Sequence, residues 1–255
     1  MDFKDKIVIV TGAAGGIGAG TVKAFVEQGA KVVLVDISKE NLEKTAADLK
    51  LQDGRFLLIP TDVSKEDDVI NYVRKTKEVF GRIDVFFNNA GIEGAIGEIA
   101  GYSTEMFNKV LDINVKGTFF GMKHVLGVMK EQKSGAIINA SSCAGITGMP
   151  ALSTYATSKF AITGMTRSAA LENAPLGIRI NAVCPAYINT RMMRSIEEGV
   201  AGDKAAKIKD EWSETVPMKR YGEVEEVSNA VLFLASEKAS FITGVLLPVD
   251  GGYVA

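Results

Sequence analysis

The sequence has few of the residues on which metal and nucleophile chemistry depend. It holds one histidine, His124, so a multi-histidine metal site is excluded and a histidine-dependent triad has only that residue to use. Its two cysteines, Cys143 and Cys184, show neither CxxC nor metal-ligand spacing. Isolated thiols suit a reducing compartment, and a cytoplasmic protein with no metal is expected. No apolar run approaches the ~20 residues of a membrane-spanning helix, and residues 1–6 contain no apolar signal core. Charge is nearly balanced, with 29 Lys and Arg against 31 Asp and Glu, which removes the electrostatic case for nucleic acid or an anionic membrane surface. No linker, low-complexity segment or long repeat divides the chain. One domain over residues 1–255 is expected.

What is present is a repeated alternation of short β-branched runs and amphipathic stretches. Residues 7–10, 31–35, 56–60, 83–87, 136–139, 178–183 and 244–249 read as strands buried on both faces. The segments between them carry helical periodicity. A strand–helix alternation of this kind predicts an α/β, Rossmann-type, doubly wound sheet of about seven parallel strands with helices on both faces. Ser64, with Asp67 three residues on, reads as a capping box at the start of the third helix, and Gly81 as its end. Residues 104–130 read as one long, broken helix. Residues 187–222 lack clean alternation. They are either a substrate lid, with Met192, Met193 and Ile196 facing a ligand, or a packed helical pair.

The first strand runs into Thr11-Gly12-Ala13-Ala14-Gly15-Gly16-Ile17-Gly18 and then a helix, a context in which backbone N–H groups can hold a pyrophosphate. The second strand ends in Asp36, 18 residues beyond Gly18, near the spacing of a carboxylate that bonds an adenosine ribose and repels a 2′-phosphate. The nearest cation is Lys39. NAD is expected rather than NADP. Asn88-Asn89-Ala90-Gly91 follows the fourth strand at the ligand-binding edge, and Glu93 lies just beyond it, as a substrate contact or a solvated carboxylate. Asn114 sits among apolar neighbours and must find partners, as a structural bracket or part of a polar relay. His124 reads as a helix-surface or subunit-contact residue, and Cys143 as a small buried one. The fifth strand delivers Ser141 and Ser142. Tyr155 and Lys159 share a helix face, where a cation favours the phenolate and lowers a pKa of roughly 10. Such a tyrosine is suited to acid–base work on an alcohol or ketone.

Together these motifs resemble the short-chain dehydrogenase/reductase family over nearly the whole chain. The resemblance implies cofactor contacts at Gly12, Gly16, Ile17, Gly18, Asp36, Asp62, Val63, Asn89, Ala90, Gly91, Tyr155, Lys159, Pro185, Ile188 and Thr190. It implies a catalytic set of Asn114, Ser142, Tyr155 and Lys159, with Tyr155 as general acid/base, Lys159 on the nicotinamide ribose and Asn114 holding a relay water. It implies a homotetramer. One departure is Ala186, where the family has glycine after the proline, and a small shift of the nicotinamide is expected from alanine's resistance to positive φ. The expected substrate is a secondary alcohol or the matching ketone, apolar or cyclic and hydroxysteroid-like. The alternatives are a 3-oxoacyl thioester reductase and a dinucleotide-sensing protein without turnover.

Overall fold

The computed structural model describes residues 2–255; Met1, the first residue of the leading segment read above, lies outside them. Seven parallel strands form one sheet in the order β3-β2-β1-β4-β5-β6-β7: β1 Ile7–Thr11, β2 Lys31–Asp36, β3 Phe56–Pro60, β4 Val85–Asn88, β5 Gly135–Ala140, β6 Ile178–Pro185 and β7 Leu246–Val249. β1 is buried at all five positions, as a continuous apolar run in a doubly covered sheet must be. The strand order reverses between β1 and β4, which opens a crevice at their carboxyl ends.

Helices cover both faces. On one side α1 Gly16–Glu27 packs on α9 Val224–Ala235, burying Val22, Phe25, Val227 and Val231 against Val8, Val10 and Leu34. On the other, α3 Glu66–Phe80, α5 Gly117–Gln132 and α6 Ser153–Asn173 bury Val69, Tyr72, Val125, Met129 and Ala169 against Ile9, Val33, Phe86 and Ile137. Each fully buried aliphatic side chain contributes roughly 1.5–3 kcal/mol, so both faces are needed to offset chain entropy. α2 Lys39–Asp48 flanks β3.

One local reading needs revision and two gain detail. Ser64 does not cap α3: its hydroxyl and amide are donated to Asp62 Oδ1 (2.6 and 3.1 Å), and the helix begins at Glu66 after an extended Lys65. A side chain already committed to a turn is not free to cap. The reciprocal contact appears instead at α9, where Glu223 N donates to Glu226 Oε2 (2.8 Å). The broken helix resolves into α4 Thr104–Val110, a wider π-helical turn at Leu111–Lys116, and α5. The stretch 187–222 is a helical pair, α7 Arg191–Ala201 and α8 Ala205–Thr215, that also walls a cavity. The packed helical pair is the alternative realised, and Met192, Met193 and Ile196 on it line the cavity.

Candidate active site

The glycine turn is built for an anion. Gly12 adopts φ 64°, and a Cβ there would lie 2.9 Å from Asn89 Nδ2 and 3.1 Å from Ala90 Cα. Thr11 locks this junction: its Oγ1 accepts from Asn89 N (2.9 Å) and Ala90 N (3.1 Å), while Asn89 Nδ2 donates to Thr11 O (3.0 Å). α1 then starts at Gly16 with no side-chain cap and no acid in its first turn. Gly15 and Gly16 are exposed, so this positive helix end is open to a ligand. The residues fit a dinucleotide pyrophosphate.

Asp36 closes the far end of that groove. Its Oδ2 accepts from Ala14 N (3.1 Å) and its Oδ1 from Ser38 N (3.3 Å), so the carboxylate is fixed at the β2 terminus. Lys39 is paired with Glu43 (3.5 Å) and does not turn back toward the turn to receive a 2′-phosphate. Asp36→Ala is therefore expected to narrow the NAD over NADP ratio in kcat/KM by about tenfold or more, the worth of one charge-assisted hydrogen bond. An unchanged ratio in steady-state assays with both cofactors removes Asp36 as the discriminator. Asp62 is held by Ser64, whose hydrogen bond keeps its carboxyl below the usual carboxylate range, and Val63 packs where a Cβ on Gly117 would meet it at 2.9 Å.

The π-helical turn explains Asn114. The extra residue aims this fully buried side chain inward, where Oδ1 accepts from Ile92 N (2.9 Å) and Nδ2 donates to Ile92 O (2.9 Å) and Ser158 Oγ (3.0 Å). It brackets the loop after Gly91, and Asn114 Oδ1 and Lys159 Nζ lie 3.1 and 3.6 Å from where a Gly91 Cβ would stand. Lys159 is 4% exposed, donates to Ala140 O (2.8 Å), and lies 5.4 Å from the Tyr155 ring centre. Burial brings its ammonium down to about 8. Burial likewise pushes the Tyr155 phenol up to about 12, against the Ser142 hydroxyl, which acts in the opposite direction, and with a further upward push from Glu93. Desolvation is the largest influence on the phenol, and the lowering expected from Lys159 does not appear: that ammonium is directed at the Ala140 carbonyl. Glu93 is half-buried and stands within electrostatic reach of the phenol.

Ser142 accepts from Ala144 N (3.1 Å), donates to Pro185 O (3.4 Å), and shares a cavity of about 360 Å³ with Tyr155. Ile17, Pro185, Ile188 and Thr190 line the same cavity, whose apolar wall comes from Leu152, Met192, Met193, Ile196 and Trp212. Thr190 caps α7 by accepting from Met193 N (3.3 Å). Ala186 needs no positive φ: among the described residues, non-glycine positive φ occurs at Asp5, Lys50, Lys133, Ala151 and Lys219. The expected displacement at Ala186 therefore loses its backbone cause, because β6 runs extended through Pro185 and Ala186 N donates to Val249 O (3.3 Å). His124 is spent on Glu66 (2.8 Å) at the outer surface of α5, and burial pushes the Cys143 thiol up to about 12, so neither is a nucleophile or base.

A family model described as enoyl-(acyl carrier protein) reductase matches residues 12–254. Levodione reductase of Leifsonia aquatica is 40% identical over 99% of this chain and 96% of its own length. The chain belongs to the short-chain dehydrogenase/reductase family. A crystal structure of NAD+-bound xylitol dehydrogenase, 38% identical, superposes on this family member with a TM-score of 0.95 over 99% of this chain and all of that one. A 3-oxoacyl-(acyl-carrier-protein) reductase of Thermotoga maritima is 37% identical over the full length of both chains. The crevice of this dehydrogenase/reductase lies at the carboxyl edge of the sheet.

Several residues of this dehydrogenase/reductase site escape a motif-based reading. Ser158 ties Asn114 to the Tyr155 carbonyl (2.7 Å), and Ser141 Oγ donates to Lys159 O (3.1 Å). Both lie inside quoted motifs, so their position was visible and their partners were not. Met149, Tyr187 and Tyr253 also line the cavity and carry no pattern that separates them from ordinary loop residues.

Proposed function

We propose that this protein is an NAD-dependent dehydrogenase/reductase interconverting a secondary alcohol and its ketone, on an apolar or cyclic substrate. The observation that carries the reading is the cavity itself: the Ser142 and Tyr155 hydroxyls share one wall, and no charged residue lines the remainder among those described. The substrate oxygen is held between those two hydroxyls. Tyr155 takes the carbinol proton in oxidation and returns it in reduction, and Lys159 and Asn114 form the polar path behind it. Gly12, Gly16, Ile17, Gly18, Asp36, Asp62, Val63, Asn89–Gly91, Lys159, Pro185, Ile188 and Thr190 hold the cofactor. NAD, when bound, supplies the hydride acceptor and, in its oxidised form, a positive charge near Tyr155.

The cavity, about 360 Å³ and walled mostly by apolar side chains, supports an apolar or cyclic substrate. The Thermotoga relative's name keeps reduction of a carrier-bound thioester as the second reading. The exposed Phe119, Phe160 and Leu171, with the unpaired edge of β7, support the proposed homotetramer. The two free thiols support a cytoplasmic site of action.

The test is NADH formation from NAD across short diols, substituted cyclohexanols, hydroxysteroids and, in reverse, 3-oxoacyl thioesters. Preferential turnover of cyclic alcohols is the expected result. Preference for the thioesters replaces the reading with the second one, and NADH binding without any turnover replaces it with a sensing role. Met192→Asn is expected to raise KM for apolar ring alcohols about tenfold while kcat stays within about twofold, because the lost contact binds substrate and transition state alike. An unchanged KM assigns α7 to packing alone.

A further inference from the structure

The end of the chain returns to the cavity. Tyr253 lines it together with Tyr187 and Met149, and the three are joined in a row: Tyr187 Oη donates to Tyr253 Oη (3.4 Å), and Tyr253 Oη points to Met149 Sδ (3.9 Å). A thioether is a weak acceptor, so the Tyr253 proton has no full-strength partner. A donor that already receives a hydrogen bond is polarised toward giving one. We propose that the Tyr187–Tyr253 hydroxyl pair is a second recognition point, donating to a neutral oxygen acceptor on the substrate ring away from the reacting carbon.

The pair is held in place. Tyr187 stacks on Trp212 and on Tyr221 (ring centres 5.4 Å in each case) and meets Tyr253 edge-on at 5.2 Å. Tyr253 is presented by Asp250, whose carboxylate accepts from Gly252 N and Val254 N at 2.9 Å each and whose carbonyl accepts from Tyr253 N (3.2 Å). Aromatic side chains lose little entropy on binding, and these are fixed before a ligand arrives. Burial raises the Tyr187 pKa, so its hydroxyl stays protonated as a donor through any ordinary assay range. No lysine, arginine or histidine lines the cavity among the described residues, so a carboxylate brought to this wall would be desolvated without a counter-charge. The acceptor is therefore a carbonyl, ether or hydroxyl oxygen. The substrate class is a ring ketone, or its alcohol, with a second neutral oxygen function.

This inference rests on the alcohol–ketone reading, and the test separates the two. Wild type and Tyr253→Phe are assayed with NADH on 3- and 4-hydroxycyclohexanone and on the matching methylcyclohexanones. In the wild type the better hydroxy ketone is expected to exceed its methyl counterpart in kcat/KM by about 3- to 10-fold, the worth of one hydrogen bond. In Tyr253→Phe that ratio is expected to fall to near one, and in Tyr187→Phe to fall part of the way. Trp212, the only tryptophan, supplies a readout free of turnover. Its fluorescence in a Tyr155→Phe–NADH complex should report tighter binding of the hydroxy ketone, with the gap lost when Tyr253→Phe is added. A wild-type ratio near one, or a ratio that survives Tyr253→Phe, overturns the second recognition point and leaves the alcohol–ketone reading standing. Absence of NADH-dependent turnover on every ring ketone overturns both.

Discussion

Tyr155→Phe is expected to lower kcat by about 10³-fold in both directions while NADH still binds with a Kd within about threefold of wild type. The size follows from what a positioned acid or base contributes, roughly 10²–10⁴. The separation of the two readouts follows from geometry. The phenol lines the cavity, and its loss removes a proton and leaves the glycine turn, Asp36 and the Thr11–Asn89 lock untouched. The pH dependence has a definite sign. Oxidation needs the ionised phenol, so log(kcat/KM) for the alcohol rises with pH up to the operative Tyr155 pKa; reduction needs the neutral phenol and falls above it. Burial sets the phenol at about 12, and any added positive charge moves the oxidation limb down from there. Burial leaves Lys159 charged only below about 8, so Lys159→Met is expected to lower the oxidation rate on the part of that limb below pH 8 and to leave the part above it unchanged. A Tyr155→Phe enzyme that has lost NADH binding as well as turnover makes the residue structural, and a pH limb unmoved by Lys159→Met removes the lysine's electrostatic role.

Gly18→Ala is expected to weaken NADH binding by about 100-fold and to lower the melting temperature. An added Cβ would lie 2.0 Å from Gly12 O, 2.8 Å from Gly12 C and 3.0 Å from Ala13 Cα, all backbone atoms. None can rotate away as a side chain tip can, so the turn itself must move. Gly12 is held at φ 64° by the Asn89 and Ala90 contacts, and displacement there spreads to the loop that Asn114 brackets. Overpacking of this kind costs about 1–3 kcal/mol in stability. The larger effect falls on the ligand, whose phosphates depend on N–H groups set to within tenths of an ångström. Titration of NADH fluorescence together with thermal melting measures both. Undiminished affinity shows that the turn yields without cost and that its glycines do not shape the pyrophosphate site.

How much was legible beforehand is best judged at single residues. Asp36, Ser142, Tyr155 and Lys159 are legible because each occupies a fixed offset from a strand end or helix turn, and backbone periodicity alone carries them to one edge of the sheet. Asn114 is legible as a buried polar group in need of partners, but the π-helical turn that aims it comes from a contest between α4, Ile92 and Ser158 that no local pattern records. Ser64 is misread because its capping propensity is local, and its hydroxyl goes to Asp62. The Tyr155 pKa is misread for the converse reason: the i to i+4 offset shows the cation, whereas desolvation is a property of everything packed around the phenol.

Local spacing along the chain specifies the parallel α/β architecture, the glycine turn, the acid at the end of β2 and the positions of Ser142, Tyr155 and Lys159. Those depend on spacing along elements whose geometry is nearly invariant. Only the tertiary structure decided the shape and polarity of the substrate cavity. Its walls come from Met149, Leu152, Tyr187, Met192, Trp212 and Tyr253, which lie on loops, the α7–α8 pair and the final turn, up to about a hundred residues apart. Contacts of that separation arise from packing and not from period, so the chemistry of the reaction is written locally and the choice of substrate is not.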